Sequence, residues 1–128
     1  MSITMTHSDD HFADPDRIRH VRAHPLNDEA SRRLAAIFKA LGDPTRVRLL
    51  HALSHAELTV GDLARLLEME DSLSAVSHHL RLLRTLRIVN DRREGRQVYY
   101  ALEDNHITHL LHQSLQHVLH ATPEVGPE

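Results

Sequence analysis

Cysteine is absent from the 128 residues. Its absence removes disulfides, thiolate metal sites and thiol redox sensing, and leaves imidazole and carboxylate as the strong metal ligands. Tryptophan is missing too, and the aromatic residues are only Phe12, Phe38, Tyr99 and Tyr100. A core must therefore be built mainly from Leu, Val, Ile and Ala. No apolar run approaches the roughly 18 residues of a membrane span, and the polar N-terminus does not have the form of a signal peptide. These absences point to a soluble cytoplasmic protein with no membrane partner. The length suits one domain with a modest core.

What is abundant is histidine, with 13 residues, and a charge that is unevenly spread. The formal net charge is −3, which by itself does not suggest nucleic acid. Between Ser74 and Tyr100, however, Arg81, Arg84, Arg87, Arg92, Arg93 and Arg96 face only Asp91 and Glu94, a local balance of +4. The acids gather elsewhere, beginning with Asp9, Asp10, Asp14 and Asp16. A basic face on an acidic chain suits DNA; a solvated arginine-rich surface is the plain alternative.

Residues 1–26 lack a sustained period and read as a flexible arm containing His7, His11, His20 and His24, with a short helical turn near Pro15–Val21. A folded domain spans 27–121, and 122–128 form a short tail. Within the domain, Asn27 or Asp28 caps a helix to about Leu41, with Leu34, Ile37, Phe38 and Leu41 as its apolar stripe. Asp43-Pro44 starts the next helix, with Val47, Leu49, Leu50 and Leu53 facing inward. Thr59 and Asp62 form a capping pair for a third helix that buries Leu63, Leu66 and Leu67. After the polar turn Glu68–Leu73, a fourth helix begins at Ser72 or Ser74 and buries Val76, Leu80, Leu83 and Leu86. Two short helices joined by a turn read as a helix-turn-helix. Its second helix presents Ser74, Ser77, His78 and Arg81 outward, while the helical period puts His79 nearer the domain body. Residues 88–93 and 96–102 alternate as strands around Glu94-Gly95, forming a wing whose Arg93, Arg96 and Gln97 suit phosphates or the minor groove. The architecture expected is mainly α with a small β-hairpin.

The last helix, from Asp104 to about Ala121, carries the second chemical feature. His106 and His117 are eleven residues apart, which returns to within roughly 20° of one face, and His117 and His120 can meet over one turn. The two ends nevertheless lie about 16 Å apart at 1.5 Å per residue, too far for one ion with bonds of about 2 Å. A second, antiparallel copy of the helix resolves this: Asp104 and His106 of one chain then face His117 and His120 of the other. Each residue also has a plainer reading. Asp104 can be an N-cap, His106 a solvated first-turn residue, and His117 and His120 cations beside the helix dipole. His109 and His112 point to other faces. Ile107, Leu110, Leu111, Leu115 and Val118 form a broad apolar stripe, suited to a core or to a dimer interface shared with the first domain helix.

Three motifs, Ala40-Leu-Gly-Asp-Pro-Thr-Arg-Val-Arg-Leu-Leu50, Ser74-Ala-Val-Ser-His-His-Leu-Arg-Leu-Leu-Arg84 and Arg92-Arg-Glu-Gly-Arg-Gln-Val-Tyr-Tyr100, resemble those of the ArsR/SmtB winged-helix repressors. The resemblance covers about residues 30–120. It implies a homodimer, with first and last helices at the interface, that binds palindromic operator DNA and is released by an inducer. It also matches Asp104, His106, His117 and His120 to the family's inter-subunit zinc-sensing site. One carboxylate and three imidazoles give a closed tetrahedral shell for zinc. The chain departs from the pattern at Glu57–Asp62, where other members carry cysteines, and in the turn Glu68–Leu73, which is about two residues longer than usual. A nickel or cobalt sensor would use the same residues plus arm histidines to reach six ligands. A winged-helix regulator that senses no metal is a further alternative. A zinc hydrolase needs an open coordination position and a general base; four ligands fill the shell and no HExxH motif occurs, so no enzyme and no small-molecule substrate are expected.

Overall fold

The computed structural model describes residues 14–125, so His7 and His11 of the arm and residues 126–128 of the tail lie outside the described residues. The chain divides into two units, residues 1–34 and 35–128. In the first, α1 (Pro15–Arg22) is a full helix and not only a turn. Asp14 caps it by accepting from the Asp16 backbone N–H at 2.9 Å, and Pro15 supplies the preset φ of a first helical residue. Helix α2 (Asp28–Leu41) begins here, its Asn27 side chain accepting from the Ala30 N–H at 2.8 Å.

The second unit contains the end of α2 and everything that follows. Asp43 accepts from the Arg46 N–H at 3.0 Å and opens α3 (Pro44–Leu53), which buries Leu49, Leu50 and Leu53. A reciprocal capping box opens α4 (Val60–Leu66): Asp62 N–H donates to Thr59 Oγ1 at 3.0 Å, and Thr59 N–H donates to the Asp62 carboxylate at 3.1 Å. A 3₁₀ turn at Glu70–Ser72 leads into α5 (Leu73–Thr85), whose Val76, Leu80 and Leu83 are fully buried. Then come β2 (Val89–Glu94), β3 (Gln97–Leu102) and the long α6 (Asn105–Val125), which continues four residues past the expected end at Ala121.

Both helices of the helix-turn-helix stop in the same way. Met69 N–H bonds Ala64 O and Glu68 N–H bonds Arg65 O; Ile88 N–H bonds Leu83 O and Arg87 N–H bonds Arg84 O. These are Schellman motifs, and the left-handed residues they require are Glu68 (φ 57°) and Arg87 (φ 61°), not glycines. Neither end carries the usual glycine, yet the helices close at Leu67 and Leu86, where their apolar periods run out.

The sheet has three antiparallel strands in the order β1-β3-β2, not a hairpin alone. The added strand β1 is only Leu58–Thr59, paired with Tyr100 and Tyr99. Two residues are too few to show a period of two. Glu94 pairs with Gln97, which moves the wing turn to Gly95-Arg96. Gly95 has φ +63° and Arg96 does not lie at positive φ, the pattern of a II′ turn, so glycine must occupy the first central position. Ile88, Val89 and Tyr100 join the buried leucines of α3, α4 and α5 in one core, with Ile107 and Leu111 of α6 against it.

Four apolar residues expected inside are not. Phe38 is 54% exposed, Leu66 58%, and Leu34 and Val47 are exposed as well. Each satisfies its own helix's period but is left uncovered among the described residues. Phe38 and Val47, with Leu110, Leu115 and Val118 of α6, line an apolar groove of about 950 Å³.

Candidate nucleic-acid interface and metal site

Helix α5 is fixed to the body by its buried apolar face, which leaves the opposite face outward. Ser74, His78 and Arg81 are exposed and Ser77 is half-buried. Their spacing of three or four residues puts them on one side of the helix. His79 turns the other way. Its Nδ1 lies 3.3 Å from an Arg46 guanidinium nitrogen, and Arg46 donates through Nε to the Ala40 carbonyl at 2.7 Å. Burial, aided by the Arg46 and His78 charges and opposed by Asp43, holds the His79 imidazole below its ordinary pKa.

The basic segment divides into two kinds of arginine. Arg84 pairs with Asp91 at 2.8 Å. Arg92 donates to Glu57 and Glu94, each at 2.8 Å, and its guanidinium lies 4.9 Å from the ring centroid of Tyr99, its cross-strand partner. By contrast, Arg81, Arg93 and Arg96 have no ion pair among the described residues and are exposed. The wing therefore spends Arg92 on holding β2 to the segment before β1, and presents Arg93, Arg96 and Gln97 to solvent. This tie reaches past the middle strand in the order β1-β3-β2, so no pairing of neighbouring strands announces it.

At the start of α6, Asp104 Oδ1 accepts from the His106 backbone N–H at 3.0 Å, while Oδ2 lies 3.3 Å from His106 Nδ1. Asp104 is thus an N-cap with one oxygen still directed at an imidazole. The His106 side-chain hydrogen bond chiefly, with backbone N–H groups of His106 and Ile107, keeps this carboxyl below the usual carboxylate pKa. Adjacent donors on a tetrahedral ion with bonds of roughly 2 Å stand about 3.3 Å apart. The Asp104–His106 pair already has that separation, so its donor set and spacing fit a zinc-like ion. His117 and His120 are exposed farther along the same helix. The structure does not bring them to Asp104 and His106 within one chain, and no cluster of three or more His, Asp or Glu able to hold an ion occurs among the described residues. No helix among them is long and apolar enough to cross a membrane.

Residues 43–91 match the family model described as bacterial regulatory protein, arsR family. The chain is 42% identical over 103 residues to a transcriptional repressor SmtB homolog of Synechocystis sp., covering 80% of this chain and 76% of that one. It is 45% identical over 85 residues to a cadmium resistance transcriptional regulatory protein CadC homolog of Staphylococcus aureus, covering 66% and 69%. Among solved structures, apo-NmtR is similar with a TM-score of 0.64 at 41% identity, over 75% of this chain and 79% of that one. The homodimeric winged helix-turn-helix domain of Mb0332 from Mycobacterium bovis is similar with a TM-score of 0.63 at 26% identity, over 76% and 89%.

Proposed function

Since the chain belongs to the arsR family of bacterial regulatory proteins and is a winged-helix transcriptional regulator and not an enzyme, we propose that it is a zinc-responsive repressor of cytoplasmic operator DNA. It acts as a homodimer. The observation that carries the metal assignment is the 3.3 Å between Asp104 Oδ2 and His106 Nδ1. That pair supplies half of a tetrahedral shell, and the other half, His117 and His120, can come only from a second copy. Two symmetric sites per dimer follow.

The apolar groove supports the dimer. Phe38, Leu110, Leu115 and Val118 of one chain leave apolar surface in water that a second copy of the α2 and α6 faces would cover. In that dimer the two α5 helices present Ser74, Ser77, His78 and Arg81 to successive major grooves about 34 Å apart, and Arg93, Arg96 and Gln97 reach the flanking backbone. Palindromic DNA is the fitting partner because the dimer is twofold.

Zinc, held by these four ligands, would supply a cross-link between the two α6 helices. Asp104 and His106 hold one side of that tie and His117 and His120 the other, so α6 favours one quaternary arrangement over those compatible with DNA. Operator affinity and zinc affinity must then weaken each other by the same factor, a coupling of about 1–3 kcal/mol by general experience. His117→Ala is expected to bind operator normally and to remain bound when zinc is added. Normal zinc-driven dissociation of that variant would show the site to be elsewhere. The cobalt(II) complex gives a second check: a four-coordinate spectrum supports this ligand set, whereas a six-coordinate one favours a nickel or cobalt sensor that recruits arm histidines.

A further inference from the structure

Three histidines that play no part in the α6 tie meet at one wall of the apolar groove. His51 sits in the last turn of α3, and His55 lies just beyond that helix, four residues on. Their ring centroids are 5.0 Å apart at an interplanar angle of 77°. His112, from the middle of α6, brings its ring to 6.5 Å from that of His55. All three are exposed and line the groove.

The distances have a chemical meaning. An imidazole bound through one nitrogen places its centroid roughly 3 Å from the metal, so two on a tetrahedral ion have centroids about 5 Å apart. His51 and His55 already meet that condition. His112 stands 6.5 Å from His55 and needs to approach by about 1.5 Å, within reach of an exposed side chain changing rotamer. No three such groups close on one ion-sized volume among the described residues as they stand; the site forms when the exposed rings turn their nitrogens toward a common point.

We propose that His51, His55 and His112 form a second, intrachain site for a divalent cation of the zinc class, joining the end of α3 to the terminal helix. A water completes the shell. The site is independent of the Asp104/His106/His117/His120 assignment: it lies within one chain and uses a different face of α6. Its consequence is mechanical. A cation there would fasten α6 to the winged domain, whereas the α6 ligands tie one chain to the other.

The test uses the full chain with His106→Ala, His117→Ala and His120→Ala, titrated with cobalt(II) and followed by visible absorption at neutral pH. One further equivalent per chain is expected. Adding His55→Ala or His112→Ala should weaken it by at least about tenfold, since loss even of a group that only hydrogen-bonds a ligand costs about that much, whereas adding His109→Ala should leave it unchanged. Absence of binding in the triple variant, or binding insensitive to His55→Ala, overturns the proposal. In the unsubstituted chain, zinc should shift the ring proton signals of His51, His55 and His112 in NMR spectra; unshifted signals overturn it equally. Operator release lost in His117→Ala but retained in His55→Ala tells failure of one site from failure of the other.

Discussion

Asp104 Oδ2 and His106 Nδ1 stand 3.3 Å apart at the exposed start of α6, while the other Asp104 oxygen caps that helix. One carboxylate thus does two things that a substitution can separate. Asn caps helices about as well as Asp but carries no charge and ligates weakly. Asp104→Asn is therefore expected to keep the thermal midpoint and to lose most of the zinc response, read by operator-binding titrations with and without zinc. A fall in stability with an intact zinc response would assign Asp104 to capping alone.

Acid should silence the same site through its imidazoles before its carboxylate. Metal ligation requires neutral imidazole, whose ordinary pKa is about 6.5. The Asp104 carboxyl is held below the usual carboxylate pKa by its hydrogen bonds from His106 and Ile107, so it stays ionised in mild acid. The zinc response should fade as pH falls from neutral into the mildly acidic range, where protons compete for the ligands, with Asp104 still charged. Isothermal titration across that range should show protons released on zinc binding in growing number as the pH drops.

His79 gives a separate acid effect, on folding. Its native pKa lies below the unfolded value because burial disfavours the charged form. Between the two values the unfolded chain binds more protons, so the contribution to stability is full above about 6.5 and is lost as pH falls through the native pKa. Urea midpoints should decline across that window, and His79→Gln should flatten the decline. An unchanged slope in His79→Gln would place the effect in another group.

The two kinds of arginine in the wing should part in salt titrations. Arg93→Ala or Arg96→Ala should weaken all DNA alike and reduce the salt slope by about one per chain, as loss of a phosphate contact does. Arg92→Ala removes exposed pairs with Glu57 and Glu94 that solvent screens, and should leave the slope unchanged. A reduced slope in Arg92→Ala would mean that it too reaches phosphate.

Arg87 sits at φ 61° in the Schellman motif that ends α5. Glycine adopts that conformation without the Cβ penalty, offset partly by the greater freedom of the unfolded chain. Arg87→Gly is expected to raise stability by about 0.5–1 kcal/mol, measured by urea denaturation. A loss would show that the Arg87 side chain holds α5 in some other way.

What the sequence determines by itself is whatever depends on neighbours a few residues away. Asp14, Asn27, Asp43 and the Thr59/Asp62 pair cap their helices as their side-chain chemistry dictates, and the leucines of α3 and α5 bury at their helical periods. The adjacency of Asp104 and His106 belongs to the same class, since a cap and the second residue after it must meet. Tertiary structure decides what depends on distant partners. Leu58–Thr59 becomes a strand only because Tyr99 and Tyr100 arrive beside it. Phe38, Val47 and Leu66 stay exposed because periodicity selects a face of a helix without supplying anything to cover it. Arg92 is drawn to Glu57 across 35 residues, and His112 reaches His55 across a still longer stretch of chain. Such contacts depend on how elements pack, and no spacing within a single element encodes them.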